Sequence, residues 1–135
     1  MSLKLEIVTP DARVYSDTID SVVIPTVEGE VGILPGHIAL LTQVADGELR
    51  VSKGSEVHYL AVSGGFAEVG DDRVRVLAEH AITEEKIDEG AVEAAIKRAE
   101  QQIAEAKNAD PAEFEHLQGM IRFSGVQLAI KRRRR

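Results

Sequence analysis

From Leu3 to about Ala81, hydrophobic and polar positions alternate. Leu3, Leu5 and Ile7 are interleaved with Lys4 and Glu6, Leu49 and Val51 flank Arg50, and Val74 and Val76 alternate with Arg73 and Arg75. A period of two sends one set of side chains into a core and the other into water. Turn formers break the pattern often: Thr9-Pro10-Asp11, Glu28-Gly29, Pro35-Gly36, Asp46-Gly47, Ser52-Lys53-Gly54-Ser55, Gly64-Gly65 and Gly70-Asp71-Asp72. Short strands at this spacing predict an antiparallel β-sandwich or flattened barrel. The sandwich is favoured, because a sheet of this size needs a second layer to bury its apolar face.

After Thr83 the period changes. Thr83-Glu84-Glu85-Lys86 reads as a helix start, with Thr83 as N-cap and early acids at the positive end of the dipole. Val92, Ile96, Ala99, Ile103 and Ala106 follow at spacings of four and three, a heptad-like seam. Asn108-Ala109-Asp110-Pro111 breaks it, and Asp110 as N-cap with Pro111 at the first helical position signals a restart. A second seam runs through Phe114, Leu117, Ile121, Ser124 and Leu128. The short break implies an antiparallel hairpin. The expected fold is therefore α+β, with a β-sandwich over residues 1–83 and a two-helix hairpin over residues 84–135.

This seam is thin. The first helix offers mainly alanines, each worth about 0.8 kcal/mol per buried methyl. Gly119 and Gly125 in the second cost about 1 kcal/mol each against Ala. Two readings stand: a weakly held hairpin that a few kcal/mol of partner contact would move, or a small permanent packing layer.

The chain has 135 residues, 44% hydrophobic, and no Cys, which removes disulfides, thiolate metal sites and a thiol nucleophile from consideration. No apolar run approaches the roughly 18 residues of a membrane span. The opening Met1-Ser2-Leu3-Lys4-Leu5-Glu6 alternates and lacks the form of a secretory or transit segment. The expected compartment is the cytosol or the cytosolic face of a membrane. A net charge of -7 argues against nucleic-acid binding. That average hides an asymmetry: residues 116–135 carry six bases and no acid, whereas residues 84–115 carry ten acids and four bases.

No chemical motif emerges. His37, His58, His80 and His116 lack metal-ligand spacing, GxSxG is absent, and Ser63-Gly64-Gly65 lacks the rest of a phosphate loop. Its glycines read better as a bend or bulge where backbones approach. Aromatic residues make up only 4%, too few for a stacking platform. Two segments remain unusual. Glu28-Gly29-Glu30-Val31-Gly32-Ile33-Leu34-Pro35-Gly36-His37 is expected to be a structured turn, not a strand. It is either a contact site offering acids beside apolar groups, or a tight bend with Ile33 and Leu34 in the core. The tail Lys131-Arg132-Arg133-Arg134-Arg135 is either a solvated end or a site for anionic lipid, nucleic acid or an acidic protein surface. In a closed hairpin it approaches Glu84, Glu85, Asp88 and Glu89, where each exposed pair is worth about 0–1 kcal/mol.

Residues 28–37, followed by Leu40-Leu41-Thr42, resemble the signature segment of the epsilon subunit family of F-type ATP synthases. Val62-Ser63-Gly64-Gly65-Phe66-Ala67-Glu68-Val69 resembles the family's second marker, and Leu5-Glu6-Ile7-Val8-Thr9-Pro10 its opening. The resemblance covers essentially the whole chain and is most specific over residues 5–80. It implies a non-catalytic rotor subunit with no cofactor. The sandwich would grip the gamma subunit and sit on the c-ring, through Glu28, Glu30, Val31, Gly32, Pro35, Gly36 and His37, with Glu30 pairing with c-ring bases and His37 near gamma. The hairpin would either fold on the sandwich or extend beside gamma to the alpha and beta subunits and restrain ATP hydrolysis, using Arg122, Lys131, Arg132, Arg133, Arg134 and Arg135. It also implies the cytoplasmic face of the bacterial inner membrane, in preference to the stromal face of a plastid thylakoid. One departure matters. Ile87 and Asp88 match a nucleotide-binding pattern of some members, but Ala91 stands where an Arg belongs, so tight ATP binding is not expected. The competing readings are an adaptor or chaperone with a β body and helical arm, and an enzyme with a pocket of perturbed acids or histidines.

Overall fold

In the computed structural model, which describes residues 2–105 and 110–133, the alternating segment forms ten strands. They are β1 (Leu3–Val8), β2 (Arg13–Ile19), β3 (Ser21–Thr26), β4 (Gly29–Ile33), β5 (Leu40–Gln43), β6 (Gly47–Lys53), β7 (Glu56–Ser63), β8 (Phe66–Gly70), β9 (Arg73–Leu77) and β10 (His80–Thr83). Two five-stranded sheets result, ordered β2-β1-β9-β8-β5 and β10-β7-β6-β3-β4. All pairings are antiparallel except β1 with β9. The predicted sandwich is thus present. Its core is the inward set of each strand: Leu3, Leu5 and Ile7 of β1, Leu49 and Val51 of β6, and Val74 and Val76 of β9 are all buried.

The Ser63-Gly64-Gly65 bend is the close approach its glycines suggested. A Cβ on Gly65, whose φ is +89°, would fall 1.8 Å from the Leu77 carbonyl oxygen. Only glycine can turn β7 into β8 there while β8 pairs with β9.

The helical half departs from expectation at its start. Thr83 caps no α-helix, and its side chain makes no capping bond; a single 3-10 turn, Glu84–Lys86, follows it. The helix α1 spans Glu89–Glu105. Its cap is Asp88, whose Oδ1 accepts from the Ala91 N–H at 3.1 Å and whose carbonyl accepts from Val92. Thr83 lost this role because Ile87 is needed in a second apolar cluster, which keeps the chain extended until that side chain is buried. The restart is as predicted: α2 spans Pro111–Arg133, with Asp110 Oδ1 accepting from Ala112 N–H at 3.1 Å. Ala106, Asn108 and Ala109 lie outside the described residues.

The α2 helix packs against α1 and against β6 and β7 on the outer face of the second sheet. Ala61, Ile87, Val92, Leu128 and Ile130 form the cluster beneath it. This covering explains why Leu60, Ala61, Val62 and Ser63 are buried in succession. Leu60 and Val62 face the sandwich, and Ala61 faces the helix. Of the expected second seam, Leu117, Ser124 and Leu128 are buried, Ile121 is half-buried, and Phe114 is exposed. Ile130, at 1% exposure, is the principal anchor that the heptad count passed over.

Candidate functional site

Residues 28–37 are not the strandless turn that their glycines suggested. Gly29–Ile33 is the edge strand β4, pairing with β3 from Thr26 with Gly29 to Val22 with Ile33. Glycine weakens a strand but does not forbid one where a neighbour supplies the ladder. The strand opens on a tight corner. The Thr26 hydroxyl donates to the Gly29 carbonyl and accepts from the Glu28 N–H. Ile33 is 1% exposed and fills the core, but Leu34, expected beside it, is 64% exposed. Period two puts neighbours on opposite faces, so only one of the pair can be inside.

Beyond β4 the chain turns through residues 34–37, closed by the His37 N–H donating to the Leu34 carbonyl at 3.1 Å. Gly36 sits at φ +85°, and its N–H donates to Asp72 Oδ1 at 2.6 Å. His37 is half-buried, and its Nδ1 donates to the Ile38 carbonyl at 2.7 Å. Glu28 and Gly32 are exposed, and Val31 and Pro35 half-buried. Glu30 is exposed but not free: its carboxylate lies 3.2 Å from the Arg50 guanidinium, a partner on β6 that sequence reasoning missed. Around this corner stand Leu34, Ile38 at 79% exposure and Leu41 at 69%, with Phe66 on the strand next to Leu41 also exposed. Large apolar side chains left in water make this corner the candidate contact surface. Behind Phe66 the outer face carries Leu77, directly across the ladder, and a charged row of Glu68, Arg75 and Glu6.

The basic end of α2 is spread along the sandwich and α1. Arg122 donates to Glu115 at 2.9 Å and reaches Asp46 at 3.4 Å; the Glu115 bond, above all, raises its pKa. Lys131 donates to the Glu84 carbonyl at 3.1 Å. Arg132 pairs with Glu93, a turn beyond the acids expected to receive it. Arg133 donates to Glu48 of β6, with its guanidinium 5.5 Å from the centre of the Tyr59 ring. Arg134 and Arg135 lie outside the described residues. A cleft of about 130 Å³, with Asp46, Glu79, His80, His116 and Arg122 in its lining, separates α2 from the sandwich near the helix start.

Asp88, Ile87 and Ala91 do not assemble as a ligand set. Asp88 is spent on the helix cap, Ile87 is buried under α2, and Ala91 is exposed on the first turn of α1. Among the described residues, no three His, Cys, Asp or Glu side chains gather as a metal-binding group, and no helix is long and apolar enough to cross a membrane.

A two-sheet β body with exposed apolar and acidic residues at one corner, carrying a helical hairpin packed on one sheet, has the architecture of a binding subunit. Comparison with known proteins makes the class specific. Residues 2–84 match the family described as ATP synthase, Delta/Epsilon chain, beta-sandwich domain. ATP synthase epsilon chain 2 of Syntrophotalea carbinolica is 43% identical over 128 residues, which cover 95% of this chain and 92% of that one. The ATP synthase epsilon chain of Halalkalibacterium halodurans is 41% identical over 131 residues, 97% of this chain and 91% of that one. A chain in the cryo-EM structure of the Euglena gracilis mitochondrial ATP synthase OSCP/F1/c-ring assembly superposes with a TM-score of 0.73 at 27% identity, covering 96% of this chain and 81% of that one. The chain belongs to the ATP synthase epsilon chain family. It is accordingly a non-catalytic central-stalk subunit of an ATP synthase, associated with a membrane complex, and the adaptor and enzyme readings fall away.

Proposed function

We propose that residues 1–83 act as the docking domain and residues 84–135 as a regulatory arm. The corner formed by Glu28, Glu30, Val31, Gly32, Pro35, Gly36 and His37 meets the c-ring and the foot of gamma. Rotation of the ring is thereby passed to gamma and the catalytic head. The observation that carries this reading is the exposure of Leu34, Ile38 and Leu41, on the connection and strand that follow the acidic edge strand β4. Apolar anchors rimmed by charge are the composition of a protein interface. Glu30 exchanges its Arg50 partner for a base on the ring, at little net cost because both groups are exposed.

The hairpin lies folded on the sandwich here. Released, it extends beside gamma toward the alpha and beta subunits, where Arg122, Lys131, Arg132, Arg133, Arg134 and Arg135 meet acidic partners and rotation in the hydrolysis direction is blocked. Tight ATP binding takes no part in holding the arm, since Ala91 supplies no guanidinium fork for phosphate. The chain works on the cytoplasmic face of a bacterial inner membrane, in keeping with its bacterial relatives.

The test is purification of the complex from detergent-solubilised membranes with this chain intact, truncated after Thr83, or carrying Leu34→Ser with Ile38→Ser. The intact chain is expected to bring down gamma and the c-ring. The truncated chain should do the same while ATP hydrolysis rises, and the double variant should lose the ring. Full retention of the ring by the double variant, or unchanged hydrolysis after truncation, would reject the corresponding half of the proposal.

A further inference from the structure

The β8–β9 turn, read from the sequence only as a break in the alternation, contains a residue with a second contact. Gly70 and Arg73 close the two strands, and Asp71 and Asp72 between them both lie in the left-handed region, at φ +52° and +56°. Two successive positive φ values form the tight hairpin turn that favours Asn-Gly or Asp-Gly. Asp tolerates this conformation better than most residues but less well than Gly. By local backbone preference alone, position 72 should be Gly.

The Asp72 side chain reaches across the sequence. Its Oδ1 accepts from the Gly36 N–H at 2.6 Å, a direct link between the β8–β9 turn and the exposed corner. Its carbonyl accepts from the Lys4 N–H at 2.9 Å, which fixes the turn to the start of β1. Gly36 itself lies at φ +85°, with open space where a Cβ would stand. Its N–H has no partner within the corner, because the closing bond there runs from His37 to Leu34. An anionic oxygen on a backbone N–H is among the stronger hydrogen bonds. The bond spans 36 residues of sequence and joins the β4–β5 connection to the β8–β9 turn.

We propose that Asp72 is a positioning residue for the docking corner: its carboxylate holds Gly36, and so sets the direction in which Leu34, His37 and Ile38 are presented to the c-ring and gamma. The proposal rests on the docking role given to this corner above. Asp72 touches no partner; it acts through Gly36. The left-handed φ at position 72 is tolerated for the sake of the carboxylate, so removing the side chain separates local stability from docking.

The variants are Asp72→Gly and Asp72→Asn. Gly suits the turn and has no acceptor, whereas Asn suits it and keeps a neutral one. In the full chain carrying Asp72→Gly, the Gly36 amide should exchange with deuterium about fivefold faster, while the thermal midpoint stays the same or rises. In the purified complex, the same variant should lower c-ring retention, and Asp72→Asn should restore most of it. A Gly36 amide that exchanges at the wild-type rate in Asp72→Gly would overturn the tether. Faster exchange with full ring retention would overturn the positioning role, provided that Leu34→Ser with Ile38→Ser releases the ring in the same preparation. If that double variant also keeps the ring, the docking assignment has failed, and the positioning role falls with it even though the tether stands.

Discussion

Glu48 is the acid on which the docked hairpin depends most, and replacing it by Gln is expected to release α2. Its side chain is only 15% exposed, against 56% for Arg133, its partner. The pair therefore lies between an exposed ion pair, worth about 0–1 kcal/mol, and a buried one, whose disruption from one side costs about 3–5 kcal/mol. The guanidinium also lies over the Tyr59 ring, a contact worth about 0.5–1 kcal/mol at an exposed site that the substitution would leave in place. A loss of about 1–2 kcal/mol follows, which shifts the docked-to-released ratio by a factor of about 5 to 30. Glu48 Oε1 is buried without a hydrogen-bond partner among the described residues. Neutralising the carboxylate therefore relieves a desolvation cost, and a global melting temperature would mix the two effects. The chain contains no Cys, so Ser55→Cys and Gln118→Cys, both at exposed positions, give one clean label on the sandwich and one on α2. Distance distributions between paired spin labels should gain a long component in Glu48→Gln and a larger one in Arg133→Ala, which also loses the Tyr59 contact, with no further growth when the two are combined. The wild type should gain the same component as salt is raised. A Glu48→Gln distribution that overlays the wild type at every salt concentration would mean that the Glu48–Arg133 pair does not hold the helix.

Two further outcomes test the body of the sandwich. Gly65→Ala must displace either its own backbone or the Leu77 carbonyl, 1.8 Å from the new Cβ, which should cost about 3 kcal/mol or more and lower the thermal midpoint by on the order of 10 °C; a shift of a degree or two would show that the bend can open. The Lys53 ammonium, bonded to Asp17 at 2.7 Å, is the main cause holding that carboxyl below its ordinary value of 3.8, helped by the Thr18 N–H. Because the folded pKa is the lower one, this stabilisation is present above 3.8 and disappears as pH falls through the folded value; Lys53→Met should therefore lower the urea midpoint near neutrality and converge with the wild type in strong acid, and parallel curves throughout would exclude the pair from acid stability.

The β half was legible because alternation, read residue by residue, states which side chains face inward: Leu3, Leu5, Ile7, Leu49, Val51, Val74 and Val76 all lie where period two placed them. The errors arose where a second constraint overrode the local one. Glycines at 29 and 32 argued against a strand, but β3 offered a free edge, and pairing outweighed propensity. Thr83 looked like a cap, but the burial of Ile87 delayed the helix to Asp88. Leu60, Ala61, Val62 and Ser63 break the alternation because α2 covers the outer face, and no local pattern announces a helix arriving from the far end of the chain. The ties of the corner were not legible. Arg50 on Glu30, and Asp72 on Gly36, are long-range contacts that spacing cannot encode.

Those ties differ in kind at the two ends of the molecule. The corner is fixed by a strand ladder, a glycine turn and a carboxylate bonded to a backbone N–H, which depend on geometry and respond weakly to ionic strength. Helix α2 is clipped to Asp46, to Glu93 of α1 and to Glu48 of β6 by Arg122, Arg132 and Arg133, whose side chains are all more than half exposed, and exposed charge pairs of that kind weaken as salt is raised. An acidic partner surface would compete for the same guanidinium groups without disturbing a single bond at the corner. The division follows from the sequence itself: Asp46, Glu48 and Glu93, the acids outside α2 that receive its arginines, all precede it in the chain, whereas residues 116–135 carry bases alone, and Glu115, the other partner of Arg122, lies in the second turn of α2 itself. A segment of one sign docked on acids of the other can exchange an internal partner for an external one while the base beneath it stays engaged.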